Sequence, residues 1–172
     1  MRTTLALLAA LLLAGCVMDP TAIGPSPIPP ERWQIDFGSE QWIVVSNTQT
    51  RGYRMKEYVP VGQTGDNWRE ITTDQFIVGR FPTTTYFMQL NLADLARQVN
   101  GFQSKVIYDT GGEAVYEWWH PDSGQWPAED QLCLVKYYPG GMMTLSYAHK
   151  GPQMDEAQRT KWLDRFKSAK LQ

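Results

Sequence analysis

Past residue 40 the chain switches between strand-like and helix-like hydrophobic periods in one order, and that order leaves it few ways to fold. Residues 42–48 (WIVVSNT) are β-branched and aromatic, as strands are. Gly52 breaks the run, and residues 53–59 then alternate Tyr53, Met55, Glu57 and Val59 against Arg54, Lys56 and Tyr58. The stretch 60–67 (PVGQTGDN) carries turn residues, and 68–78 resumes strand character with Trp68, Ile71, Phe76 and Val78. Next, Met88, Leu92, Leu95, Ala96 and Val99 recur on one face of an α-helix. This helix starts near Thr84 or Thr85, or restarts at Asn91 with Asp94 three residues on, and Asn100-Gly101 ends it. Four short strands follow, at 105–109, 114–119, 131–138 and 142–148, the last two joined by a hairpin turn at Pro139-Gly140-Gly141. A closing helix runs from Gln153 or Asp155 to Ser168, with Asp155 and Gln158 as a capping signature and Trp162, Leu163 and Phe166 as its stripe.

Short turns between successive strands imply antiparallel pairing, and helices with one apolar stripe must bury it on the sheet. The expectation is an α+β fold: one mostly antiparallel sheet of about six or seven strands with two helices packed on it. The connection holding the first helix is long enough to rejoin the sheet elsewhere. This element order, with Asn67-Trp68 leading into the strand before the helix, resembles the PsbP/Mog1-like α/β/α sandwich. No functional motif of that family is carried over, and the resemblance implies an accessory or assembly role more than catalysis.

The N-terminus sets the location. Arg2 precedes nine consecutive Leu or Ala residues, 5–13, followed by Ala14, Gly15 and Cys16. Such a run is far short of the about 20 apolar residues that span a bilayer, and its basic start and small-residue end read as an export signal. Leu13-Ala14-Gly15-Cys16 resembles the bacterial lipobox. That resemblance implies cleavage before Cys16 and acylation of its sulfur and nitrogen, with palmitate among the chains. One acyl chain binds a membrane marginally, whereas two or more hold it firmly. Val17, where an aspartate resembles an inner-membrane retention signal, favours a periplasm-facing place on the outer membrane. Residues 17–30 contain Pro20, Pro25, Pro27, Pro29 and Pro30, and at about 3.1 Å per residue they read as a tether some 40 Å long. The expected organisation is therefore a signal peptide at 1–15, a lipidated cysteine and tether at 16–32, and one globular domain at 33–172.

Charge and composition exclude some functions. Removal of Arg2 takes the net charge from −2 to −3, and no dense Lys/Arg cluster exists, so nucleic acid is not an expected partner. With Cys16 acylated, Cys133 is the one thiol left; it lies in the apolar run Leu132-Cys133-Leu134-Val135 and reads as buried and inert. His120 and His149 have no second His or Cys at metal-ligand spacing, so no metal and no cofactor is expected. Gly111-Gly112 and Gly140-Gly141 sit between strands and form turns rather than a phosphate cradle. The carboxylates Glu113, Glu117 and Asp122 form no pattern specific to glycoside hydrolysis.

The compositional oddity is tryptophan: seven in all, with Trp118, Trp119 and Trp126 within nine residues. Adjacent strand residues face opposite ways, so Trp118 and Trp119 cannot share one core face. A half-exposed tryptophan beside a polar loop suits an anchor at a binding hot spot, or a platform for a sugar ring. The candidate surface is Trp118, Trp119, His120 and Trp126. The leading expectation is a non-enzymatic envelope lipoprotein, held to the membrane through Cys16, that binds a protein partner or peptidoglycan. The alternative is an anchored hydrolase using His120 with Cys133 or nearby carboxylates.

Overall fold

The computed structural model describes residues 28–29, 31–124, 126–151 and 153–172. The signal peptide, Cys16 and the tether as far as Pro27 lie outside the described residues. Among the described residues nine strands and two helices follow one another: β1 (Trp33–Gln34), β2 (Trp42–Gln49), β3 (Tyr53–Pro60), β4 (Glu70–Val78), α1 (Thr84–Gln98), β5 (Gln103–Asp109), β6 (Glu113–His120), β7 (Glu129–Tyr138), β8 (Gly141–Lys150), α2 (Glu156–Ser168) and β9 (Lys170–Leu171). Seven strands form one sheet in the order β2-β3-β4-β8-β7-β6-β5, and β1 pairs with β9 in a separate two-stranded ladder. Every pairing is antiparallel. The α+β class and the antiparallel sheet are those the alternating periods lead to.

Two meanders build the sheet. The strands β2, β3 and β4 form one, β5 to β8 the other, and β4 joins β8 across the middle. The connection through α1 carries the chain from the centre to the far edge, where β5 begins. The β7–β8 turn is tight because Gly140 adopts φ +89° and Gly141 leaves room for the neighbouring strand. A Cβ on Gly141 would fall 2.1 Å from the Ile77 carbonyl oxygen, so this crossing point accepts glycine alone.

The helices cover opposite faces, which is why both parities of the central strands are apolar. On one face Phe87, Met88 and Leu95 of α1, with its C-cap Val99, pack on Ile77, Ala114, Tyr116, Trp118, Cys133, Val135 and Met142. Its N-cap is Thr83, whose hydroxyl accepts the Tyr86 N–H at 3.1 Å, so the helix forms without a restart at Asn91. Phe87 takes the buried place expected of Ala96, which faces solvent. On the other face Trp162 and Phe166 of α2 meet Phe76, Val115, Leu132, Leu134, Met143, Leu145 and Tyr147. Trp162 stacks on Tyr147 with ring centroids 3.8 Å apart. Asp155 caps α2 by accepting the Gln158 N–H at 2.8 Å, as its spacing from Gln158 indicates.

The segment before β2 lies on the α2 face. Ile28, Trp33, Ile35 and Phe37 pack into that core, and Arg54 donates to the carbonyls of Pro29 and Glu31. Residues 28–29 and 31–32, read from sequence as the end of a free tether, are thus in contact with the domain.

Candidate functional site

The end of β6 separates the tryptophans by face. Trp118 is 1% exposed and lies under α1, between Phe102 and His120. His120, two residues on and therefore on the same face, stacks on it with ring planes 7° apart. Trp119 points to the opposite face and is half-buried. The Trp126 ring, in the loop, is also half-buried and packs against the α1-side core. Its backbone closes a short turn with Ser123, N–H to Oγ at 3.0 Å. Of the two half-buried rings, Trp126 packs on the α1-side core, whereas Trp119 faces the other way beside the loop.

His120 is the last residue of β6 rather than a solvated loop residue, and it is 3% exposed. Its Nδ1 lies 2.8 Å from the Pro121 carbonyl oxygen. A carbonyl can only accept, so Nδ1 is the donor in this contact. Around Trp119 and His120 the surface sinks into a depression of about 370 Å³, lined also by Gln103, Ala128, Gly151 and Gln153. Its lining residues include a tryptophan, a histidine and two glutamines.

Titratable groups line both faces of this end of the sheet. In register, His120 opposes Glu129 and Glu129 opposes Lys150, which places the three on the α1 face. Trp119 opposes Asp130 and Asp130 opposes His149, on the α2 face. Glu129 keeps some surface as a residue, but its carboxyl is enclosed by protein, and burial pushes its pKa to about 7 despite Lys150. The Lys150 ammonium lies 3.9 Å from the Trp68 ring centroid.

Asp130 is fully buried, and burial likewise raises its pKa to about 7. Its Oδ2 accepts the Met154 N–H at 2.7 Å, which fixes the approach to α2, while Oδ1 has no hydrogen-bond partner. The nearby Glu117 carboxylate adds to the upward push. Glu117 itself behaves oppositely. Burial works to raise its pKa, but Arg159 and Lys105 outweigh that and hold it below the usual carboxylate range. Arg159 reaches it through Nε and Nη2 at 2.8–3.1 Å, and Lys105 at 2.9 Å.

This geometry does not bring the expected nucleophile pairs together. Along β7, Cys133 is four residues from Glu129, the residue opposite His120, or about 14 Å. His149 is on the other face of the sheet from Cys133. The Cys133 thiol is buried, accepts from Gln131 Nε2 at 3.0 Å, and is pushed up to about 12 by burial. A thiol in that state is neither thiolate nor nucleophile at neutral pH. Among the described residues no group of three or more His, Cys, Asp or Glu is arranged to hold a metal. Glu113 is engaged by Tyr108 and Lys136, and Asp122 accepts the Gly124 N–H at 2.7 Å, so both serve local structure.

Sequence reasoning missed the Glu117–Arg159 pair and the buried Asp130. Neither residue stands out locally, because the partners are 42 residues apart and Asp130 sits at a strand start that reads as loop. No protein-family model, curated protein or solved structure matches the chain.

Proposed function

We propose that this chain is a lipid-anchored accessory protein of the bacterial envelope, held by Cys16 and binding a protein partner or cell-wall glycan at the depression around Trp119. The observation that carries the binding site is the position of Trp119. It is a half-buried ring at the open end of the sheet, lining a depression of about 370 Å³ beside His120, Gln103 and Gln153. An apolar surface with a few convergent polar groups is what ligand sites generally present, and tryptophan is among the residues that dominate binding energy. The Leu13–Cys16 lipobox resemblance supports the anchor, and the resemblance in element order to the PsbP/Mog1-like sandwich supports an accessory role.

The test is capture of partners from detergent-solubilised envelope, alongside co-sedimentation with purified peptidoglycan, for the native chain and Trp119→Ala. The reading expects a partner or the glycan to be retained by the native chain and lost from the variant. Equal retention by both places the binding surface elsewhere, and retention of nothing by the native chain removes the reading.

A further inference from the structure

The segment Glu31–Ile35 is joined to the domain more weakly than any strand of the main sheet. Its one backbone ladder is with the C-terminus: Trp33 opposes Leu171, Arg32 N–H donates to the Gln172 carbonyl at 2.6 Å, and Gln172 N–H donates to the Arg32 carbonyl at 2.9 Å, while the Glu31 carbonyl accepts from the Arg54 side chain at 2.6 Å. Trp33, 5% exposed, holds the segment down by burying its ring in the α2-side core. Immediately after it the chain is fixed again. Phe37 stacks on Trp42 at 4.8 Å, its carbonyl accepts from Arg165 at 2.8 Å, and Asp36 caps Gly38 N–H at 2.7 Å.

Beneath the segment lies charge that the closed form satisfies poorly. Asp74 is fully buried and Arg54 is 1% exposed. Both Asp74 oxygens, Arg54 Nε, Thr72 Oγ1, Arg32 Nη1 and the Trp33 indole N–H lack a hydrogen bond. The Arg32–Asp74 ion pair is long, at 3.9 Å, and the Trp33 backbone N–H gives the carboxylate support short of a full hydrogen bond. Buried polar groups without partners cost free energy that hydration returns. Opening the segment loses Trp33 burial and the Arg54 bonds to the Pro29 and Glu31 carbonyls but hydrates Asp74, Arg54 and Arg32, so the terms oppose each other.

We infer that Glu31–Ile35 and Lys170–Gln172 form a releasable clasp, which opens as one unit while the seven-stranded sheet stays folded. Phe37 is the point where opening stops. On the lipid-anchor reading proposed above, release frees residues 28–35 and adds about 25 Å to the reach of the domain from the membrane.

Hydrogen exchange on the mature chain tests this by residue. The amides of Arg32 and Gln172 should exchange at least tenfold faster than the central amides of β7 and β8, in conditions where the fold is intact. Trp33→Ala should accelerate Arg32 and Gln172 further and leave β7 and β8 unchanged. Deleting residues 170–172, of which only Leu171 packs on the edge of the core, gives a second variant that leaves Trp33 in place. It should strip protection from Arg32 and leave the central strands as they were. Exchange of Arg32 and Gln172 at the rate of the central strands, or equal acceleration everywhere in either variant, overturns the clasp. Palmitate labelling of Cys16 judges the anchor separately, so a failure there removes the gain in reach and leaves the exchange result to decide the clasp.

Discussion

Arg159 of α2 closes on Glu117 of β6 through two guanidinium nitrogens, across the layer between helix and sheet. Glu117 is fully buried and Arg159 keeps only 12% of its side-chain surface, so neither charge has bulk water to fall back on. Breaking a buried pair by removing one partner costs about 3–5 kcal/mol, whereas replacing both with apolar groups is often near neutral. Lys105, which also reaches Glu117, softens the loss of Arg159. Arg159→Leu should therefore destabilise the domain by about 3 kcal/mol, and the double variant Glu117→Leu/Arg159→Leu by less than the sum of the singles. Urea unfolding of the four proteins measures this; additive single effects would deny the coupling.

Stability should fall between mildly acidic and mildly alkaline pH. Burial raises the pKa of Asp74 to about 6, and those of Glu129 and Asp130 to about 7. A carboxyl with a folded pKa above its unfolded value binds its proton more tightly in the fold. Its contribution is full below the unfolded value, near 4, and is lost as pH rises through the folded one. Glu117, Glu40 and Asp109 have lowered pKa values and act below that window, where acid destabilises through them. The melting temperature should be higher at pH 5 than at pH 8, and Asp130→Asn should flatten the slope while keeping an acceptor for the Met154 N–H. A slope that Asp130→Asn leaves untouched assigns the pH dependence to other groups.

Cys133 should not react in the native protein. A thiol reagent that labels it fully after denaturation should leave it intact beforehand, and Cys133→Ala should cost about 1–2 kcal/mol for a small lost side chain. Rapid labelling of the folded chain would contradict the burial and the raised thiol pKa on which the exclusion of a cysteine nucleophile stands.

Much of the fold is legible in the sequence because periods of 2 and 3.6 report which faces are apolar, and seven strands and two helices each carry one. The short pair β1–β9 is not legible, since two residues per strand hold no period. Arg54 and Glu117 alternate with apolar neighbours, Asp74 lies between Thr73 and Gln75, and all three read as the wet side of their strands. They are buried because a helix and an N-terminal segment cover that second face, a fact of topology that no local pattern records. His120 misleads for a related reason: the Pro-Asp-Ser-Gly stretch after it reads as loop, yet pairing with Glu129 extends β6 to include it. The opposite orientation of Trp118 and Trp119 was legible from strand geometry alone. Which of them is buried followed only from where α1 packs.

Cys16→Ser should abolish palmitate labelling and leave the chain uncleaved or soluble in the envelope. A Cys16→Ser protein that still labels with palmitate and fractionates wholly with outer membrane would contradict the lipobox reading, and with it the proposed location.

The most direct measurement is a pair of titrations on three alanine variants, first with urea and then with the captured partner or peptidoglycan. Trp118→Ala removes a fully buried ring stacked on His120 and should lose about 3–5 kcal/mol of stability. Trp126→Ala removes a half-buried ring packed on the α1-side core and should fall between the other two. Trp119→Ala should unfold close to the native midpoint, yet bind about 30-fold more weakly, the about 2 kcal/mol typical of a hot spot. A Trp119→Ala protein that is stable and binds with native affinity, or one that loses stability as Trp118→Ala does, would contradict the assignment of the depression around Trp119 as the binding surface.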